Sequence, residues 1–179
     1  MVVRHRLSCL AALLAALIVT PVLAQTVVSS CQTLSTTGAS YRLTNDVSSS
    51  GTCFEIRGDG ITLDLDGHTV TFDTAAGGGS RGVFVRGADN VTVRNGRIVQ
   101  HSGCQGDSLC AGDAAVRASA SFDTLIQGLE ITVQGYDSFG IFLAAASSSC
   151  NTSAVTRIDG NTIHHNGTHL SSRDGFSSE

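Results

Sequence analysis

The chain has no Trp and no Lys, one Met and one Pro, and aromatic residues make up only 5% of its 179 positions. Without Lys, and with its few Arg dispersed, it has no basic cluster to neutralise phosphates, which excludes a nucleic-acid or anionic-membrane reader. The single proline, Pro21, lies in the leader, so the rest of the chain carries no proline-dependent turn or linker. Long amphipathic helices are missing as well, and the one long apolar run is at the N-terminus. What is abundant is Gly, Ser and Thr around short aliphatic runs, a composition suited to many short strands joined by tight turns.

Residues 1–24 have the layout of a secretory signal: Arg4 and Arg6, an apolar stretch from Leu10 to Val19, and a small-residue cleavage site at Val22-Leu23-Ala24. That run is short for a membrane span and ends at Pro21. About 155 residues follow, enough for one modest domain in a secreted or periplasmic setting. In that part nine Arg face fifteen Asp and Glu, a net charge near −6. Of its five cysteines, Cys31 with Cys53 and Cys104 with Cys110 are the expected disulfides. On loop entropy alone they contribute roughly 3 and roughly 2 kcal/mol. Cys150 has no evident partner, and no two cysteines have the short spacing of a zinc knuckle.

The organising stretch is Ile61-Thr62-Leu63-Asp64-Leu65-Asp66-Gly67-His68-Thr69-Val70-Thr71-Phe72. Its alternation of apolar and polar residues predicts a strand with one buried face, a glycine corner and a second strand. Val70, Ile98, Ile131 and Ile163 stand 28, 33 and 32 residues apart. Five positions before them stand Leu65, Val93, Ile126 and Ile158; three before stand Gly67, Asn95, Gly128 and Gly160, types that tolerate a left-handed backbone. Between these units lie Gly82-Val83-Phe84-Val85, Ala115-Val116-Arg117, Gly140-Ile141-Phe142-Leu143 and Asp174-Gly175-Phe176. A repeat of this period in a strand-rich chain predicts a solenoid whose coils bury their apolar faces only against one another. Asn95-Gly96 and Asp159-Gly160 would also suit hairpin turns of an antiparallel sandwich, but they recur in the register of the repeat.

The segments 58–70 and Ile158-Asp159-Gly160-Asn161-Thr162-Ile163-His164-His165-Asn166-Gly167 resemble coils of the right-handed parallel β-helix proteins, the pectate-lyase-like superfamily. The resemblance implies an all-β, right-handed parallel β-helix of about four coils, export, and association with polysaccharide. The expected organisation is a signal peptide at 1–24, a capping segment at 25–57 and coils at 58–179. The last coil is expected to continue in a longer protein or to be covered by a partner chain. The catalytic sets of related enzymes do not carry over. Polygalacturonase-like hydrolases have Asn-Thr-Asp, Asp-Asp and Arg-Ile-Lys motifs, where this chain has Asn161-Thr162-Ile163, no Asp-Asp and no Lys. Pectate lyases have an Arg-x-Pro-x-x-Arg segment, which needs a proline this part of the chain lacks.

Counting back from the aliphatic column places Asp66, Arg94, Gln127 and Asp159 on one outward ladder, and Asp64, Thr92, Leu125 and Arg157 on the next. Asp64 and Asp66, about 7 Å apart on one strand face, would suit paired carboxylates of an inverting hydrolase or a shared Ca²⁺. Arg94 or Arg157 could clamp a uronate carboxylate. The catalytic candidates are therefore Asp64, Asp66, Arg94 and Asp159, with Tyr136 and Arg157 for substrate; the plainer reading is a ladder of exposed ion pairs. No metal site and no cofactor is expected beyond that Ca²⁺ option, since His164 and His165 face opposite sides of a strand. Phe84 and Phe142 fall at strand positions consistent with core stacking. The sequence thus predicts a protein that binds or processes polysaccharide, with a non-enzymatic structural or adhesive surface protein as the alternative.

Overall fold

The structure, a computed structural model, describes residues 25–104, 108–144, 155–166 and 176–178. The leader expected at 1–24, Cys150 and His169 lie outside them.

The first strands are β1 (Thr26–Val28), β2 (Gln32–Leu34), β3 (Ser40–Leu43), β4 (Val47–Ser48) and β5 (Phe54–Ile56). The next are β6 (Thr62–Asp64), β7 (Thr69–Phe72), β8 (Arg81–Arg86), β9 (Thr92–Gln100) and β10 (Ala114–Ser119). The chain continues through β11 (Leu125–Val133), β12 (Phe139–Ala144), β13 (Arg157–Asp159), β14 (Thr162–His165) and β15 (Phe176–Ser178). Helical structure among the described residues is confined to two single 3₁₀ turns, Ser102–Cys104 and Ser108–Cys110.

All strand pairs are parallel, and the chain passes alternately between two sheets to make a parallel β-solenoid of about three turns. Sheet one runs β1-β3-β6-β9-β11-β13, with β4 beside β7, β7 also beside β9, and β14 beside β11. Sheet two runs β2-β5-β8-β10-β12-β15. The segment 25–57, expected as a cap, supplies the first rungs of both sheets.

The aliphatic column stacks as its spacing requires: Val70 pairs with Ile98, Ile98 with Ile131, and Ile131 with Ile163. Val70, Ile98 and Ile131 are fully buried, and Ile163 packs on them from the last sheet-one rung. Val47 extends the column below Val70. On sheet two Phe54, Val83, Val116 and Ile141 form the facing column. Burying each such side chain stabilises the coil by about 1.5–3 kcal/mol, and the gain is made only between adjacent rungs.

Between the two halves of each long sheet-one strand the backbone turns left-handed at one residue, Asn95 (φ 57°), Gly128 (φ 61°) and Gly160 (φ 60°). The first of these coils departs from the pattern. Val93 pairs with Leu63, not with Leu65, so the expected Leu65 column is corrected by two residues. The cause is an enlarged corner in which both Asp66 (φ 48°) and Gly67 (φ 81°) are left-handed, closed by the bond from His68 N to Leu65 O at 2.8 Å. The displaced Leu65 is still buried, in space left by the next rung: a Cβ on Gly96 would lie 2.3 Å from Leu65 Cβ and 2.8 Å from His68 O. Gly96 is therefore a packing requirement and not a hairpin turn.

At the other corners, side-chain oxygens accept backbone N–H groups of the neighbouring coil. Asp59 accepts from Asp89 N, Asp89 from Phe122 N, and Asp123 from Val155 N, each at 2.9 Å. These carboxylates satisfy donors that the strand ladder leaves over. The two expected disulfides are present: Cys31–Cys53 and Cys104–Cys110. The first ties the approach to β2 to the approach to β5 on the next rung. No helix among the described residues is long and apolar enough to cross a membrane.

Candidate functional site

The outward ladder of sheet one holds most of the candidates drawn from the sequence. Because of the two-residue corner, the residue beside Arg94 is Asp64 and not Asp66, and the residue beside Thr92 is Thr62 and not Asp64. The ladder reads Arg42, Asp64, Arg94, Gln127 and Asp159. Asp64 is buried, with 8% of its surface exposed. Its Oδ1 accepts from Asp66 N at 3.0 Å, its Oδ2 accepts from Arg94 Nε at 3.0 Å, and Asn95 Nδ2 stands 3.4 Å from both. Asp64 thus clamps the enlarged corner.

Asp66 lies beyond the end of β6 and pairs with Arg42 at 3.1 Å on the exposed surface. Asp159 accepts from Gln127 Nε2 at 3.4 Å and from Arg157 Nη2 at 3.3 Å. Every carboxylate of this ladder is engaged by a neighbouring rung or its own strand. Exposed pairs of this kind contribute about 0–1 kcal/mol. Tyr136 is half-buried in the turn between β11 and β12. His68 Nδ1 lies 3.4 Å from Asp46, while exposed His164 and half-buried His165 alternate along β14.

The outward face of sheet two is different. Phe84, expected in the core, is half-buried and points outward, whereas Phe142, in the same outward row, is buried as expected, packed with Ala114 and Phe139. The correction follows from the strand period: Val83 and Val85 are fully buried, so Phe84 between them faces out. Gly82 also faces inward, where a Cβ would lie 2.3 Å from Ile98 Cγ2. The rungs align Glu55, Phe84, Arg117 and Phe142 in one outward row, with Arg81, Ala114 and Phe139 in the row beside it.

Three guanidinium groups surround the Phe84 ring: Arg81 at 5.8 Å and Arg86 and Arg117 at 5.9 Å each from its centroid. Arg117 also lies over Phe142 at 4.8 Å, and Phe142 packs on Phe139 at 5.0 Å. Arg86 and Arg57 both reach Glu55, at 3.3 and 3.0 Å. Nε and Nη1 of Arg81 are buried with no hydrogen-bond partner. Burial, and then the like charge of Arg117, hold the Arg81 guanidinium below its usual value, against an opposing pull from Asp113. A groove of about 250 Å³ beside the Cys31–Cys53 bridge, with Thr33, Thr52 and Glu55 in its wall, adjoins the lower end of the row.

Such a face can stack a flat apolar ring surface on the half-buried Phe84 ring while guanidinium N–H groups of Arg86 and Arg117 hold hydroxyl or carboxylate oxygens. Among the described residues this row contains one carboxylate, Glu55, where glycoside hydrolysis uses two. The sequence reading passed over this face by assigning the aromatics to the core. Its signal was the alignment of Phe84 with Arg117, because an arginine in that column marks the column as outward.

A third cluster is closed from solvent. It lies at the corner that follows β7 and precedes β8, beside the Cys104–Cys110 bridge. Asp73, Gln100, Cys104, Cys110 and Asp113 have no exposed surface. Asp73 Oδ1 accepts from Gly77 N and Ser80 Oγ, and Asp113 accepts from Ser80 N at 2.6 Å and Gln100 Nε2 at 2.6 Å. Burial, and then the neighbouring Asp73 carboxylate, push Asp113 up to about 7. Neither residue occupies a column of the repeat, which is why periodicity did not single them out. Compared with protein-family models, curated proteins and solved structures, the chain matches none.

Proposed function

We propose that this chain is an exported, pectate-lyase-like β-helix that binds polysaccharide along the outward face of its second sheet. The observation that carries the reading is the Phe84 ring on the outward face, with the guanidinium groups of Arg81, Arg86 and Arg117 around it and Arg117 laid over the buried Phe142 on the next rung. An extended polymer matches a site that repeats along the stack, since each coil adds one more contact about 4.8 Å further on. Two disulfides support an oxidising compartment such as the periplasm or the exterior.

The binding reading is favoured over turnover because Asp64, Asp66 and Asp159 are held in ladder pairs. The same observation suits a rigid, non-enzymatic surface scaffold. The test is calorimetry of the purified chain against polyuronates and neutral glycans, with reducing-end and unsaturated-product assays alongside. Binding to at least one polymer, weakened tenfold or more by Phe84→Ala, is the expected result. No binding across the panel, or equal binding by Phe84→Ala and the parent chain, overturns it.

A further inference from the structure

The closed corner at the Cys104–Cys110 bridge brings together two carboxylates and two sulfur atoms that the polysaccharide reading does not use. One ligand atom from each of Asp73, Asp113, Cys104 and Cys110 lies within 4.8 Å of the others, and all four residues are buried. Asp73 Oδ2 stands 3.2 Å from Cys104 Sγ, and in the bridged state that sulfur carries no proton to offer it. The geometry points to a redox-gated Zn²⁺ site: closed by the Cys104–Cys110 disulfide when oxidised, and binding one ion through Cys104, Cys110, Asp73 and Asp113 when reduced.

Four arguments support it. Two thiolates with two carboxylates are a donor set that suits tetrahedral Zn²⁺. With Zn–S near 2.3 Å and Zn–O near 2.0–2.2 Å, the tetrahedron's edges are roughly 3.4–3.8 Å, so the more distant ligand atoms close in by about 1 Å, while the two sulfurs, bonded to each other in the bridge, separate by about 1.6 Å once it is reduced. The net charge of such a centre equals that of a four-thiolate zinc site, which proteins commonly bury. The carboxylates are also oriented from behind: Gly77 N and Ser80 Oγ hold Asp73 Oδ1, while Ser80 N and Gln100 Nε2 hold Asp113. Gln100 is fixed in turn, its Oε1 accepting from Gln134 N and Gly135 N at 2.8 Å. Outer-shell bonds of this kind set ligand direction in metal sites.

The chemistry balances. A thiol reductant gives two electrons and two protons to the Cys104–Cys110 bond and becomes its own disulfide. The S–S bond breaks into two thiols, and both thiol protons leave when the metal binds. A small-molecule disulfide reverses the sequence: it takes the two electrons from the Cys104 and Cys110 thiolates, leaves as two thiols after picking up two protons, and the ion is released.

The test is Co²⁺ titration of the full chain after anaerobic reduction with a phosphine, which takes an oxygen from water as it reduces the bridge. It is run on the parent and on a Cys9→Ser, Cys31→Ser, Cys53→Ser, Cys150→Ser variant that keeps only the two thiols in question. Expected are one Co²⁺ per chain with thiolate charge-transfer absorption, none in the oxidised chain, and affinity at least tenfold weaker in Asp73→Asn and Asp113→Asn. Absence of that absorption in both reduced chains overturns the proposal. So does unchanged affinity in the two Asn variants, or reduction that unfolds the chain, by circular dichroism, even with the metal present.

Discussion

The outward faces of the two sheets are built on the same rungs and in the same parallel register, yet they are satisfied in different ways. On sheet one, the carboxylates are met by neighbours, Asp64 by Arg94, Asp66 by Arg42 and Asp159 by Arg157 and Gln127, and the row closes on itself. On sheet two, like charges gather round an aromatic ring, and Arg81 is left with buried N–H groups that nothing accepts. A surface whose partners are all internal serves the fold. One that keeps Arg86 and Arg117 gathered round the half-buried Phe84 ring can serve something outside it. The comparison moves attention from the carboxylates that looked catalytic in the sequence to arginines and phenylalanines that did not.

That contrast can be broken or sharpened by substitution. The largest effect is expected beneath sheet one, where Gly96→Ala drives a methyl into Leu65 Cβ and His68 O. A loss of about 3 kcal/mol in urea unfolding is expected, the upper end for overpacking. Next is Asp64→Ala, which strands Asp66 N, Arg94 and Asn95; a loss of about 1–3 kcal/mol with glycan affinity unchanged marks the ladder as structural. Arg117→Ala should do the reverse, lowering affinity about tenfold, equivalent to about 1.4 kcal/mol, while the unfolding midpoint stays put. If Asp64→Ala abolished binding and Arg117→Ala only destabilised, the assignment of roles to the two faces would be reversed. Asp66→Ala, which removes an exposed pair, should cost no more than about 1 kcal/mol.

A pH series separates the closed corner from both faces. The folded pKa of Asp113 is raised from 3.8 to about 7, so the folded state holds a proton that the unfolded chain gives up. Its contribution is complete below 3.8 and is lost as the pH rises through about 7. Stability measured between pH 4 and 8 should therefore fall with rising pH, and Asp113→Asn should flatten that slope.

Much of this architecture was legible in the chain. Val70, Ile98, Ile131 and Ile163 could be aligned because each rung must place an aliphatic over the one below, a constraint that survives loops of different length. The partner of Arg94 could not be placed by the same counting. Counting back from Val70 assumes a one-residue corner, and Asp66 with Gly67 makes it larger. Phe84 was misplaced because aromatic character was weighed above strand parity, although Val83 and Val85 on either side already fixed its direction. Asp73 and Asp113 sit in the variable connections, where no period applies and only coordinates bring them together.

The fit of Leu65 over Gly96 has a consequence for how such a protein can be altered. An oversized corner in one coil is accommodated by a missing side chain in the next, so the two must be inherited, duplicated or transplanted as a pair. Coils of this protein are not interchangeable bricks. Shuffling them, whether by recombination or by a protein engineer, is expected to succeed at the seams around Asn95–Gly128 or Gly128–Gly160 and to fail at the seam that separates Leu65 from its glycine.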